Sequence, residues 1–321
     1  MFKKKSIILF LVLILSIAVL AGCSNNNTDE KASSQDTDSQ LEEETFPIEH
    51  ALGRTEVKRN PERVIVFDYA ALDSLDKMGV EILGLPKSNI PEYLSKFNDD
   101  KYEDVGTLFE PDFEKIYELN PDVIFISGRQ TEVYEELNKI APTVFLQVDG
   151  ADYLESVNNN MKLLGQIFDK EEIIDDELAK INSEIEKINK EVKEKGIKAL
   201  VVLANDGSIS AFGEGSRFGV IYKEFGFVPA DPHIEVSKHG QNVNFEYILE
   251  KNPDYVFVID RAATTGGNIA AEQIFDNDII KETDAYKNER IVYLTSQIWY
   301  VASGGLQGTN MMIEDIQQAL D

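Results

Sequence analysis

The 321-residue chain is strongly acidic, with 58 Asp and Glu residues against 31 Lys and Arg residues and a net charge of −27. Such an excess of negative charge argues against nucleic acid or an anionic lipid surface as the partner. The single cysteine excludes an intramolecular disulfide. An anionic ligand would therefore need a local group of positive charges on an otherwise negative protein.

The first residues have the pattern of a secretory signal. Lys3, Lys4 and Lys5 precede an uncharged apolar run from Ile7 to Leu20. Since a helix needs about 20 apolar residues to span a bilayer, this run is too short to favour a transmembrane anchor. We predict a cleaved signal peptide over residues 1–22, whose removal would change the net charge from −27 to −30.

Cys23 follows Leu20, Ala21 and Gly22, an order that resembles a bacterial lipoprotein box in which the thiol is lipidated. Two acyl chains on one cysteine give stable membrane attachment. The next residues are almost all polar, which predicts a disordered tether, so residues 23–45 form the lipidated cysteine and tether. This arrangement is typical of a protein on the outer face of the cytoplasmic membrane of a Gram-positive bacterium, with palmitate among the expected modifications.

The folded part is predicted to begin near Phe46, which leaves enough chain for two lobes. Apolar, β-branched runs alternate with helical patterns, and this alternation predicts an α/β fold with mainly parallel sheets. We expect an N-terminal lobe over residues 46–150, a helical connection over 151–196 and a C-terminal lobe over 197–321. The predicted strands are Val64–Phe67, Val123–Ile126, Thr143–Leu146, Ala199–Leu203, Tyr255–Ile259 and Ile291–Leu294.

An internal repeat supports the two lobes. The stretch from Phe113 to Ile126 recurs 132 residues later, with Phe, Glu, Ile, Asn, Pro and Asp in register. Each copy predicts a helix that ends at Asn-Pro and a buried strand directly after it, because proline disfavours helix in the preceding residue. Taken alone, the Asn-Pro-Asp motif can also be a simple turn device.

The connection contains two helical patterns, over about residues 153–168 and 170–195. In the second, apolar residues from Ile174 to Val192 alternate spacings of four and three and form one seam. Such a helix would be roughly 39 Å long and would reach from one lobe to the other. A dimeric coiled coil is the alternative, but a seam of fewer than four heptads favours packing within a monomer.

Two arginines stand at equivalent places in the repeat. Arg129 and Arg261 are 132 residues apart, each just past the carboxyl end of the repeated strand. Ligands of open α/β sheets bind beyond these strand ends, so each lobe would contribute one guanidinium to a shared cleft. Arg217 follows a glycine-rich stretch whose backbone can approach a ligand closely. For any single arginine a surface ion pair is the alternative, and the repeat argues against it for Arg129 and Arg261.

Taken together, these features resemble the solute-binding lipoproteins of iron-siderophore and cobalamin ABC importers. The resemblance is strongest to the petrobactin-type, catecholate-binding members of bacilli. The resemblance covers the chain from about Phe46 to its end. It implies a class III periplasmic-binding-protein fold, in which one long helix joins two Rossmann-like lobes. The stretches that carry it include Gly84-Leu85-Pro86-Lys87, Ile126-Ser127-Gly128-Arg129-Gln130, Ser216-Arg217-Phe218-Gly219, His239-Gly240-Gln241, Ile259-Asp260-Arg261 and Trp299-Tyr300. The last of these is less specific than the stretches with the arginines.

The resemblance implies a transported ligand, an Fe(III) complex of a catecholate siderophore, and no intrinsic cofactor. Arg129, Arg217 and Arg261 match the family's arginine triad, and three guanidiniums suit a trianionic iron tris-catecholate. In the resembling proteins a histidine and a tyrosine at the positions of His239 and Tyr300 bind the iron directly when the siderophore supplies only four donor atoms. With a siderophore that fills all six iron positions, these two side chains would only donate hydrogen bonds.

Further site residues are expected at the cleft wall and on the outer surface. Lys87 and Trp299 are candidates for contact with the siderophore, although Lys87 can equally be solvated. The repeated pair Glu114 and Glu246 matches glutamates that dock onto the membrane subunits of the importer in the resembling family. A glutamate in the first turn of a helix is also simply favourable for the helix dipole.

The sequence has three alternative functional interpretations. A zinc- or manganese-binding protein would need a cluster of histidines and carboxylates, and the chain has only three histidines. Haem or cobalamin binding is possible on the same fold, but three arginines suit a compact trianion better. An extracellular hydrolase would need an activated nucleophile, and no G-x-S-x-G motif is present, so we expect no enzyme activity.

Overall fold

The computed structural model describes residues 45–321, and the predicted signal peptide, the lipidated Cys23 and most of the tether lie outside the described residues. Strands are numbered β1 to β13 in chain order. They are Thr45–His50, Gly53–Lys58, Val64–Val66, Gly84–Leu85, Glu103–Asp104, Val123–Ile126, Thr143–Phe145, Lys198–Asn205, Ser208–Phe212, Val228–Pro229, Gln241–Val243, Tyr255–Asp260 and Ile291–Tyr293.

Twelve α-helices, α1 to α12, are found within the described range. They are Tyr69–Lys77, Phe113–Leu119, Tyr134–Asn138, Tyr153–Ile167, Glu171–Lys195, Val220–Lys223, Phe245–Lys251, Arg261–Thr265, Ala271–Phe275, Asp278–Lys281, Asp284–Lys287 and Leu306–Leu320. None of the helices in residues 45–321 is long and apolar enough to cross a bilayer.

The N-terminal half contains a five-stranded sheet in the order β5-β4-β3-β6-β7, with all neighbours parallel. Its central strands are buried on both faces, as expected when helices cover a parallel sheet. The β1–β2 hairpin, which the sequence patterns did not predict, pairs antiparallel with itself and packs beside β7. Parallel strands place their carboxyl ends, and the residues that follow, at one edge of this sheet.

The C-terminal half contains a mixed sheet in the order β11-β9-β8-β12-β13, with β10 paired to the start of β8. Strands β8, β12 and β13 are parallel to one another, whereas β9 runs in the opposite direction and pairs antiparallel with both β8 and β11. All six predicted strands are present, and the α/β architecture with two sheets is confirmed.

The internal repeat is also confirmed. Helices α2 and α7 end at Asn120 and Asn252, and strands β6 and β12 follow. Both asparagines adopt the left-handed conformation, with φ of 43° and 40°. Each helix therefore ends before the proline as expected, but it ends at a left-handed cap rather than at extended backbone. The aspartates of the motif accept hydrogen bonds from backbone amides at the start of a neighbouring chain segment, as in Asp254 with Lys198.

Helix α5 has 25 residues, and its predicted apolar seam is buried along its whole length. The seam residues belong to one continuous core cluster that also contains side chains of both sheets, such as Val66 and Phe257. This packing within one chain agrees with the interpretation that α5 joins the two halves. It ends at Gly196, which has φ of +61° and serves as a left-handed cap.

The last helix returns to the N-terminal half. Helix α12 packs against α1 and α5, although β13 before it belongs to the C-terminal sheet. Between β13 and α12, residues Ile298–Ala302 form a π-helical turn. Such turns are rare and are often found at functional sites. This turn lies on the segment that crosses from one half of the molecule to the other.

The seam of α5 should contribute strongly to stability. Ile181 is fully buried, so Ile181→Ala is expected to lower the free energy of unfolding by about 2–5 kcal/mol. Lys190→Ala, on the exposed face of the same helix, should change it by less than about 0.5 kcal/mol. Urea denaturation measures both, and equal losses for the two variants would contradict a buried seam.

Candidate functional site

Three arginines from distant parts of the chain converge on Tyr300, in the π-helical turn. The Arg129 and Arg217 guanidiniums each donate a hydrogen bond to the Tyr300 backbone carbonyl, at 3.1 and 2.8 Å. Nε of Arg261 donates to the Tyr300 hydroxyl at 2.8 Å. The guanidiniums of Arg217 and Arg261 lie 4.7 and 5.7 Å from the centre of the Tyr300 ring. One residue therefore organises the arginine triad, a name kept below for Arg129, Arg217 and Arg261.

Arg129 follows β6 of the N-terminal sheet in a tightly bonded turn. Gln130 is buried, its side-chain oxygen accepts from the Ser127 amide, and its side-chain nitrogen donates to the Leu108 carbonyl. These bonds fix the turn that carries Arg129. Nearby, burial raises the pKa of the Asp68 carboxyl, and the positive charge of Arg129 opposes this rise.

Arg261 is the first residue of α8, directly after β12. Asp260 caps this helix by accepting from the Ala263 amide at 2.9 Å, and it also accepts from the Ala271 amide at 2.7 Å. The side chain of Arg261 is held by Asn205, whose amide oxygen accepts from Nη1 at 2.9 Å. Since Asn205 ends β8 and Arg261 follows the neighbouring β12, both lie at the carboxyl edge of the C-terminal sheet.

Arg217 lies in a compact turn. The Ser216 hydroxyl is buried and donates to the Gly213 carbonyl at 2.6 Å. A side-chain carbon at Gly219 would overlap the Glu214 carbonyl, so the turn requires glycine there. Although Arg217 as a residue is exposed, its guanidinium lies among groups that displace water. This desolvation lowers the pKa of Arg217 from its usual value, and the charge of Arg129 lowers it further.

None of the three guanidiniums forms an ion pair with any carboxylate of residues 45–321. Their hydrogen-bond acceptors are all neutral: a carbonyl, a hydroxyl and a side-chain amide. Each guanidinium has five N–H donors, of which Arg129 and Arg217 use one and Arg261 uses two. The triad is therefore a group of positive charges that no ion pair neutralises, with donors to spare, which suits an anion.

His239 and Lys87 are not bonded to this cluster. His239 is exposed, on the segment before β11, and its ring forms no hydrogen bond with the described part of the chain. Lys87 follows β4, and its ammonium donates to the Asp99 carbonyl at 2.8 Å. Both remain predictions as ligand contacts. Within residues 45–321, no group of three or more His, Cys, Asp and Glu side chains is arranged to hold a metal ion.

Trp299 does not line the cleft, contrary to the expectation from sequence. Its side chain is 1% exposed, and its indole N–H donates to the Asp315 carboxylate of α12 at 2.8 Å. The physical reason is the helical turn, in which neighbouring residues point in different directions. In this turn Tyr300 faces the arginines, and Trp299 faces the core.

Glu114 and Glu246 occupy equivalent positions in the first turns of α2 and α7. Both are exposed, and neither forms an ion pair within the described residues. Their helices are capped by Asp112 and Asn244, which accept from backbone amides at 3.0 and 2.9 Å. The two glutamates are thus available to a partner, and their role in docking remains a prediction.

Two features of the site were missed by the sequence reasoning. Asn205 was not among the predicted site residues, since its bond to Arg261 depends on two strands that become neighbours only in the folded sheet. The backbone carbonyl of Tyr300 carries no sequence signal, since every residue has one. A search for polar residues at the ends of adjacent strands would have suggested Asn205.

A comparison with protein-family models places this architecture in a known class. Residues 64–298 match the family model described as periplasmic binding protein. The matched range contains both sheets and the arginine triad. The chain therefore belongs to the periplasmic binding protein family, a family of solute-binding proteins.

Particular relatives agree along almost the whole length. The petrobactin-binding protein YclQ of Bacillus subtilis is 46% identical over 99% of each chain. Its crystal structure superposes with a TM-score of 0.85 and 48% identity, covering 87% of this chain and 99% of that one. The periplasmic catecholate-siderophore binding protein VctP of Vibrio cholerae superposes with a TM-score of 0.82 and 38% identity, covering 86% of this chain and all of that chain.

The repulsion between the Arg217 and Arg129 guanidiniums should lower stability in the absence of ligand. We expect Arg217→Met to raise the free energy of unfolding by about 0.5–2 kcal/mol, a typical gain when a strained functional residue is replaced. Added salt should reduce the gain, because it screens the repulsion between guanidiniums in the wild type. Arg290→Met, which removes a guanidinium over the Tyr255 ring, is the control and should not stabilise. A destabilised Arg217→Met protein would contradict this account of the triad.

Proposed function

We propose that this protein binds the Fe(III) complex of a catecholate siderophore outside the cytoplasm and delivers it to an ABC importer, without enzyme activity of its own. The single observation that supports this function best is the arginine triad, in which three guanidiniums without ion-pair partners meet at Tyr300. The petrobactin-binding and catecholate-siderophore-binding relatives support the same ligand class.

The charge of the ligand matches the charge of the site. An iron tris-catecholate is a trianion, and its catecholate oxygens can accept charge-assisted hydrogen bonds from guanidiniums. If each such bond contributes about 1.5–3 kcal/mol, a few of them with ring contacts approach the roughly 12 kcal/mol of nanomolar binding. In a protein with a net charge of −27, the triad is a local group of positive charges that attracts a trianion.

His239 and Tyr300 give the site a second way to bind iron. With a siderophore of four donor atoms, we infer that the Tyr300 oxygen and the His239 imidazole fill the two remaining iron positions, since both are suitable donors. The exposed position of His239 before β11 leaves its ring accessible to such a ligand. Lys87 would add a further positive charge on the N-terminal side of the cleft.

The remaining parts of the chain serve delivery. We infer that residues 1–22 direct export, and that lipidated Cys23 with the tether to residue 45 anchors the protein to the outer face of the cytoplasmic membrane. Lobes over residues 46–150 and 197–321, joined by residues 151–196, would then enclose the siderophore. Glu114 and Glu246, one on each lobe, would bind positively charged groups of the permease subunits.

Binding can be tested on the fragment 45–321 by following its intrinsic fluorescence. Ferric petrobactin and a ferric tetradentate bis-catecholate should quench with nanomolar affinity, whereas ferric hydroxamate, haem and cobalamin should not. Replacing Arg129, Arg217 or Arg261 singly by Gln should weaken catecholate binding by about 10- to 100-fold, because charge-assisted bonds are lost.

Arg54→Gln is the matched control for these variants, since Arg54 is an exposed arginine paired with Glu56 in the β1–β2 hairpin. It should bind like the wild type. The variant His239→Ala should weaken binding of the tetradentate complex only. Tight binding of haem or cobalamin with no response to catecholates would overturn the proposed function.

Docking can be separated from ligand binding by a double variant, Glu114→Gln with Glu246→Gln. We expect unchanged affinity for the ferric siderophore, because both side chains are exposed on helices outside the triad, and at least about tenfold slower iron uptake by cells. The control is Glu118→Gln with Glu250→Gln, two exposed glutamates on the same helices. Normal uptake by the first double variant would count against docking through these residues.

A further inference from the structure

The segment that carries Tyr300 is held at its beginning by one carboxylate. Asp315 of α12 accepts from the Thr295 amide at 2.8 Å, from the Thr295 hydroxyl at 2.9 Å and from the indole N–H of Trp299 at 2.8 Å. These three donors lie within five residues before Tyr300. A single side chain of α12 therefore fixes the start of the π-helical turn.

The end of the same segment is held by a second carboxylate. Asp73 of α1 is fully buried and accepts from the amides of Gln307 and Gly308 at 2.8 and 2.6 Å, and from the Tyr93 hydroxyl at 3.0 Å. Burial raises the pKa of Asp73 to about 7, although these hydrogen bonds favour the charged form. The neighbouring Ser74 hydroxyl accepts from the Leu306 amide at 3.1 Å.

We propose that Asp315 is a positioning residue for the arginine triad, acting through Trp299 and Tyr300, with Asp73 fixing the other end of the segment. This inference rests on the proposed function for its ligand. Arg129 and Arg217 share the Tyr300 carbonyl as acceptor, so the place of that carbonyl sets the separation of two guanidiniums from different parts of the chain. A carbonyl free to move would let these cations drift apart.

The neighbouring tryptophan makes this arrangement measurable. Trp299 is the only tryptophan of the chain, it is buried, and its N–H is bonded to Asp315. Its fluorescence therefore reports on the segment that places Tyr300. A variant that releases the segment should show red-shifted emission in the protein without ligand.

The test compares Asp315→Asn with Glu314→Gln, which makes the same charge change at an adjacent, exposed residue without a hydrogen-bond partner in the described chain. For Asp315→Asn we expect about tenfold weaker binding of ferric petrobactin, red-shifted emission and faster amide exchange at residues 296–302. Asp315→Glu should recover part of the affinity. If Asp315→Asn does not fold, Thr295→Val removes one donor and should weaken binding about threefold.

The outcomes separate this proposal from the proposed function. Affinity of the folded Asp315→Asn protein within twofold of the wild type would overturn the positioning role, even if its thermal midpoint is lower. A loss of the same size in Glu314→Gln would also overturn it, since only charge would then matter. If the wild type binds no ferric catecholate, the proposed function fails. Amide exchange at residues 296–302 then tests the positioning role, and unchanged exchange in Asp315→Asn would contradict that role.

Discussion

The meeting of three guanidiniums at one neutral residue is the constraint on which the rest of the structure depends. Positive groups at close range repel each other, and the usual remedy in proteins is a carboxylate partner. Here Tyr300 supplies a carbonyl and a hydroxyl instead. Neutral acceptors orient the guanidiniums without cancelling their charge. The site thus keeps the electrostatic attraction that an anionic ligand requires.

The scaffold keeps these groups in place from several sides. Arg129 follows a strand of the N-terminal sheet, whereas Asn205 ends β8 and Arg261 follows the neighbouring β12 of the C-terminal sheet. Helix α5 packs in one core with side chains of both sheets, and α12 packs on α1 after the chain has left β13. The turn with Tyr300 lies on this last crossing. The relative positions of the three arginines therefore depend on the same core that stabilises the fold.

Much of this could be predicted from sequence because the relevant patterns are local. The buried strands, the seam of α5 and the repeated helix-to-strand unit each follow from the spacing of apolar residues and from Asn-Pro. The short strands β9, β10 and β11 and the return of α12 were not predicted, since they depend on contacts between distant segments. For the same reason Trp299 was placed at the wrong surface. Which of two adjacent aromatic residues faces the cleft is decided by the π-helical turn, and no periodicity encodes it.

The most direct test of the central claim is a crystal structure of the fragment 45–321 with a bound ferric catecholate, in which anomalous scattering locates the iron. The account predicts iron density between the two sheets, with siderophore oxygens accepting hydrogen bonds from Arg129, Arg217 and Arg261. Iron bound elsewhere would contradict it. One such alternative is the surface groove of about 650 Å³ lined by Phe275, Tyr286 and Tyr293, and a complex there with the triad unoccupied would show that the arginines serve another purpose.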